Sequence, residues 1–226
     1  MNLPLLITYL LSLPLKALNT VPGILIAVLF SCVLWTFGIH GTMVVFIALM
    51  AITIQNTTAN AAAVAAGGQP QFYASMLFGA VACAGGTGNT LGLVLHGLRS
   101  AKSKQLKAVS KAAIVPGIFN INEPVTFGYP IMYNPIMAIP YILTPIITML
   151  ILWLGYSIGF FKPAYILLMS LMPLFLGEFL TTMAWQNLFI PIVGIVVGLI
   201  VYYPFFKIYD KQLAEKEASG KTEEKG

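Results

Sequence analysis

The sequence predicts an all-α integral membrane protein with multiple transmembrane helices and with broken helices or re-entrant hairpins among them. Two observations carry this fold class. Of 226 residues, 58% are hydrophobic and only 8% charged, against roughly 25% charged in a soluble domain. The charges are also unevenly placed: Asp, Glu, Lys and Arg are absent between Lys16 and Arg99, and only Glu123, Lys162 and Glu178 occur between Lys111 and Lys207. A water-soluble fold could not cover its surface with such stretches, so their solvent is hydrocarbon. The breaks come from Gly, Asn and Pro inside apolar runs, where freed backbone groups need protein or water around them.

The elements follow in order, judged against the roughly 20 apolar residues a crossing helix needs. Residues 3–18 are short and broken by Pro4 and Pro14, which predicts an interfacial helix or the frayed end of something larger. Residues 21–37 approach spanning length, and Pro22 suits a helix start. Gly38 and Gly41 flank His40 and break the chain before a second apolar run at 42–54. Residues 55–71 are polar without charge, which suits burial in protein or the lining of a cavity. The apolar halves 72–84 and 91–98 are separated by Gly85-Gly86-Thr87-Gly88-Asn89-Thr90, predicting one interrupted helix or a hairpin. A basic loop, 99–111, precedes a short apolar segment, 112–119, that runs into Asn120-Ile121-Asn122-Glu123-Pro124. Three longer runs, 135–156, 163–183 and 188–206, complete the membrane part. The two domains expected are a membrane-embedded unit, 1–206, and a charged, solvated tail, 207–226.

The formal net charge of +5 does not point to nucleic acid. Basic residues gather at 99–111 and after 207, beside apolar runs, as they do in cytoplasmic segments of membrane proteins. Both segments are therefore expected in the cytoplasm, in a multi-pass protein of the plasma (inner) membrane. Three runs lie between them, and an odd number of crossings cannot join two points on one side. Either 112–129 contributes a crossing or one later run is a hairpin. Cys32 and Cys83 read as small buried hydrophobes, and no metal-ligand spacing, catalytic triad or nucleotide motif is present. No cofactor is implied.

Ionisable groups within membrane segments are costly and are functional candidates by default. Glu123 leads, set between Asn122 and Pro124 where the proline keeps the carboxylate out of a regular helix interior. A carboxylate with the amides of Asn120 and Asn122 can hold several hydroxyls at fixed geometry, as a sugar presents them; capping of a neighbouring helix is the alternative role. His40 sits where the chain bends, offering one donor and one acceptor, either to a ligand or to a backbone carbonyl. Glu178 divides between a structural hydrogen bond, with Thr181 and Thr182 nearby, and contact with substrate. His96 reads as interfacial. Broken helices around a polar midplane site are how transporters build substrate sites.

Three stretches resemble one family: Trp35-Thr36-Phe37-Gly38-Ile39-His40-Gly41, Gly85-Gly86-Thr87-Gly88-Asn89-Thr90-Leu91-Gly92, and Pro116-Gly117-Ile118-Phe119-Asn120-Ile121-Asn122-Glu123-Pro124-Val125-Thr126-Phe127-Gly128. The family is the membrane enzyme IIC of the bacterial phosphoenolpyruvate-dependent sugar phosphotransferase system, in its lactose/cellobiose/diacetylchitobiose branch. The likeness covers nearly all of 1–206 and corresponds to the family's C-terminal half, so the chain is expected to be incomplete at its N-terminus. The resemblance implies a homodimer in complete members and translocation of a β-linked disaccharide. It also implies a separate enzyme IIB whose phosphocysteine is the phosphoryl donor. Within the site it implies Glu123 as the catalytic carboxylate, with His40 beside it. Two readings compete: an ion-coupled secondary transporter relaying protons through Glu123 and His40, and a non-transporting fragment.

Overall fold

The computed structural model describes residues 18–168 and 172–220. The expected element at 3–18 and the end of the 207–226 tail lie outside the described residues, Leu18 excepted. Among the described residues every regular element is helical. Three helices are long and apolar enough to cross a membrane: Gly41–Ala65, Pro135–Ser157 and Trp185–Ala218.

Helix α1 (Val21–Thr36) starts where the Thr20 hydroxyl accepts from the Gly23 N–H at 3.2 Å and Pro22 occupies the first turn. The chain reverses through Gly38 (φ 81°) and enters α2 (Gly41–Ala65). The apolar run at 42–54 thus extends as one helix through the uncharged polar segment. That segment's side chains pin other parts of the molecule. Asn60 donates to the carbonyls of Gln71 and Ala164 (2.8 and 2.9 Å), and Asn56 donates to the Ser75 hydroxyl at 2.9 Å.

The glycine-rich region forms a re-entrant hairpin. A 3-10 helix (Ala74–Val81) leads into the turn at 82–90, and α3 (Leu91–Ser100) leads out. Neither arm is long enough to cross, and α1, α6 (Pro135–Ser157) and α8 (Phe189–Ala218) enclose them. Buried Asn89 holds the turn, accepting from the Ala84 N–H at 3.0 Å and donating to the Ala80 carbonyl at 2.9 Å. Tyr202 of α8 donates to the Gly88 carbonyl at 2.8 Å. α3 and α8 cross backbone to backbone: a Cβ on Gly92 would lie 2.5 Å from the Gly198 carbonyl carbon. Gly194 and Gly198, which carry helix-packing spacing, therefore face the hairpin.

Three expectations are corrected. The basic segment 99–111 is not a loop, because Ser103 caps a helix, α4 (Lys104–Ile118), by accepting from the Leu106 N–H at 3.1 Å. The run 163–183 contains no spanning helix; Pro163 and Pro173 bracket it, and its only described helix is α7 (Leu174–Thr182), of 9 residues. The tail does not leave the fold at 207, because α8 continues as one helix to Ala218 with Asp210 buried at 5% exposure. Asp210 accepts from the Lys102 and Ser103 N–H groups (3.0 and 2.9 Å). Glu217 accepts from the Ser103 hydroxyl and the Lys104 N–H (2.6 and 2.9 Å). The basic segment and the end of α8 therefore touch, and two of the helices long enough to cross a membrane, α6 and α8, lie between them in sequence.

Candidate functional site

The three stretches singled out in sequence converge on one place. Asn120 adopts φ 59° at the end of α4, and its Oδ1 accepts from the Gly85 and Gly86 N–H groups (2.9 and 3.3 Å). Asn122, 3% exposed, donates through Nδ2 to the Thr87 carbonyl and to the Tyr141 hydroxyl (2.8 and 3.3 Å). Gly86 has φ 78°, and a Cβ there would meet Asn122 Cβ at 2.7 Å, so this close approach requires glycine. The Thr87 hydroxyl reaches Thr42 at the start of α2, 2.6 Å away. Tyr133 closes the ring, its N–H donating to the Thr36 carbonyl and its hydroxyl to that of Phe37, both at 2.9 Å.

This framework brings His40 and Glu123 together. His40 caps α2, its Nδ1 accepting from the Met43 N–H at 3.2 Å. In the neutral ring the proton therefore sits on Nε2, and Nε2 faces Glu123 Oε1 at 3.8 Å, both side chains being near half exposed. That gap is too long for a hydrogen bond. A hydroxyl oxygen lying roughly 2.8 Å from both atoms bridges it, accepting from the imidazole and donating to the carboxylate. Glu123 opens a short helix, α5 (Glu123–Gly128), with Pro124 in its first turn. Its position is fixed by the helix start, while its oxygens remain open. The Trp35 ring packs on His40, centroids 4.4 Å apart. Trp35 is 4% exposed, and its Nε1 is the one buried side-chain polar atom without a partner among the described residues.

A cavity of about 490 Å³ lies within the range of small-ligand sites. Its wall includes Thr42, two residues after His40, and Asn120, three residues before Glu123, together with Asn56, Ser75, Asn187 and Glu178. The hydroxyls of Thr181 and Thr182 donate to the backbone carbonyl of Glu178 (3.0 and 3.2 Å), not to its carboxylate. His96 is placed elsewhere, its Nε2 2.7 Å from the Leu199 carbonyl and its ring against Phe206. The sequence reading missed Trp35, Thr42, Thr87 and Tyr141 as parts of the site. Trp35 lies in the recognised first stretch, Thr42 directly follows it and Thr87 lies in the second, which was the available signal.

A family model described as "Phosphotransferase system, EIIC" matches residues 3–145. The chain belongs to this EIIC family. Curated relatives agree: it is 36% identical over 215 residues to the lichenan permease IIC component of Bacillus subtilis, covering 93% of this chain and 48% of that protein. With the cellobiose-specific EIIC component of Geobacillus stearothermophilus it shares 34% identity, covering 96% of this chain and 49% of that one. A lactose-specific EIICB component of Staphylococcus haemolyticus is 36% identical over 83% of this chain and 32% of its own length. The crystal structure of ChbC, the IIC component of an N,N'-diacetylchitobiose-specific phosphotransferase system, superposes with TM-score 0.85 at 33% identity. That match covers 93% of this chain and 50% of ChbC. The EIIC chain thus spans about half the length of the lichenan, cellobiose and ChbC relatives and about a third of the lactose EIICB protein. Its broken-helix architecture is that of an all-helical membrane transporter.

Proposed function

We propose that this chain is the sugar-handling part of an EIIC permease that binds a β-linked disaccharide and moves it inward for phosphorylation. The observation that carries the reading is the His40–Glu123 pair, facing across a 3.8 Å gap, with a cavity of about 490 Å³ lined by the nearby Thr42 and Asn120. Relatives named for lichenan, cellobiose, lactose and oligo-β-mannoside support a β-linked neutral sugar as ligand. In this reading the hydroxyl held by the pair attacks the phosphorus of a phosphocysteine on a separate EIIB protein. The S–P bond breaks as the O–P bond forms, and Glu123 takes the hydroxyl proton. His40 fixes the same oxygen through Nε2–H. Asn120 and Asn122 act on the sugar through the turn they position.

The side bearing Arg99, Lys102, Lys104, Lys107 and Lys111 is cytoplasmic in this reading and faces EIIB. In this reading residues 1–206 are the membrane unit, and the end of α8, packed on the basic segment, lies on the same side. The complete permease is a homodimer. Cellobiose binding to the purified protein tests the site. Glu123→Gln keeps the shape but removes the charge, and loss of a hydrogen bond to a charged group costs about 1.5–3 kcal/mol, or roughly 10- to 100-fold in affinity. Unchanged affinity in a folded Glu123→Gln variant removes Glu123 from the site. Uptake that survives loss of phosphoenolpyruvate but collapses with a proton ionophore replaces this reading with ion-coupled transport.

A further inference from the structure

We infer that Glu178 is a second sugar-contacting carboxylate, one that accepts hydrogen bonds from the ring not held by His40 and Glu123. The inference rests on the proposed sugar-binding function and extends it along the cavity that Thr42, Asn120 and Glu178 line. Glu178 lines the cavity of about 490 Å³ and also an adjoining one of about 300 Å³. Asn120 lines both, so the two cavities share a wall with the turn that sets Glu123. Two amide side chains that line the same cavity are already used on protein. Asn187 bonds the Lys162 N–H through Oδ1 and its carbonyl through Nδ2 (2.9 and 3.0 Å), and the amide of Asn56 donates to Ser75. Lys162 is the only cation between Lys111 and Lys207, and its Nζ donates to the Gly159 carbonyl at 2.8 Å. Among the described residues no hydrogen bond or ion pair reaches the Glu178 carboxylate.

A carboxylate accepts and does not donate when ionised, so its natural ligand is a group rich in donors. The hydroxyls of a neutral oligosaccharide fit, whereas an anionic sugar would bring a second negative charge to Glu178. An intramembrane carboxylate without a protein partner is costly, and a ligand that supplies two hydroxyls offsets that cost. A single sugar ring held by His40 and Glu123 does not need Glu178; a disaccharide brings a second ring to the cavity that Asn120 and Glu178 line.

The test compares two probes on the detergent-purified protein: cellobiose, with two rings, and methyl β-glucoside, with one. Glu178→Gln is expected to weaken cellobiose tenfold or more and to leave methyl β-glucoside unchanged, whereas Glu123→Gln weakens both. Glu178→Asp, which keeps the charge on a shorter arm, is expected to weaken cellobiose alone by at least threefold and serves where the Gln variant does not fold. Cellobiose affinity equal to wild type in either variant, or an equal loss for both probes, overturns the role of Glu178 while the proposed function stands. A wild-type protein that binds neither probe overturns both.

Discussion

Replacing Asn120 separates the two things it does for the site. Its side chain accepts two backbone N–H groups from the Gly85–Gly86 turn, and its backbone sits at φ 59°. Asn120→Gly keeps that φ without strain and removes both hydrogen bonds to Oδ1, at about 0.5–1.5 kcal/mol for each bond, so about 1–3 kcal/mol together. Asn120→Ala removes the same bonds and adds a left-handed conformation that costs an alanine about 1–2 kcal/mol, giving about 2–5 kcal/mol. The alanine variant should therefore melt below the glycine variant, and both below wild type, in thermal unfolding of the detergent-solubilised protein. At roughly 2–4 °C per kcal/mol for a chain of this length, the separation between the two variants is a few degrees. Cellobiose affinity should fall in both, since the turn that Asn120 holds also anchors Asn122 next to Glu123. If alanine equals glycine, the left-handed backbone carries no strain worth counting. If both equal wild type, the hydrogen bonds do not hold the site.

Asp210→Asn should loosen the junction between α3 and α4, because an amide presents one acceptor oxygen where the carboxylate presents two to the Lys102 and Ser103 N–H groups; faster tryptic cleavage after Lys102 or Lys104 measures it, and an unchanged rate refutes it. Glu217, on the charged end of α8 beyond the apolar span, is held below its ordinary value of 4.5 chiefly by the Ser103 hydroxyl. A lowered folded-state value stabilises the fold above about pH 4.5 and loses that contribution as pH falls through the folded value, so wild type and Glu217→Gln should converge in melting temperature at low pH and differ near neutrality. Lys104→Cys is exposed and should resist an impermeant thiol reagent added outside intact cells; labelling there places the basic helix outside. Ser103 is fully buried and would not report.

Hydropathy placed the long helices well because membrane length is a coarse, additive constraint on composition. It placed α2 and α6 to within a few residues of their starts and missed the end of α2. The uncharged residues 55–65 look like a loop in hydropathy, yet Asn56 and Asn60 use helix geometry to reach Ser75, Gln71 and Ala164. The same limit appears at α8. Charge marked 207–226 as solvated, but Asp210 and Glu217 are acceptors for specific backbone N–H groups, and partner identity is not encoded in local composition. The structure sets His40 and Glu123 3.8 Å apart, and residue type singles both out, since a lone ionisable group in an apolar run is conspicuous whatever it touches. Residue type could not assign Asn120 and Asn122, because an amide beside a carboxylate looks the same whether it faces ligand or turn. Their hydrogen bonds to Gly85, Gly86 and Thr87 depend on the hairpin entering the membrane and returning, a tertiary fact. The glycines carry part of the answer: three of them at positive φ in four residues, Gly85, Gly86 and Gly88, make a turn that Asn89 and Thr90 hold from within while the Gly85 and Gly86 N–H groups find their acceptor in Asn120.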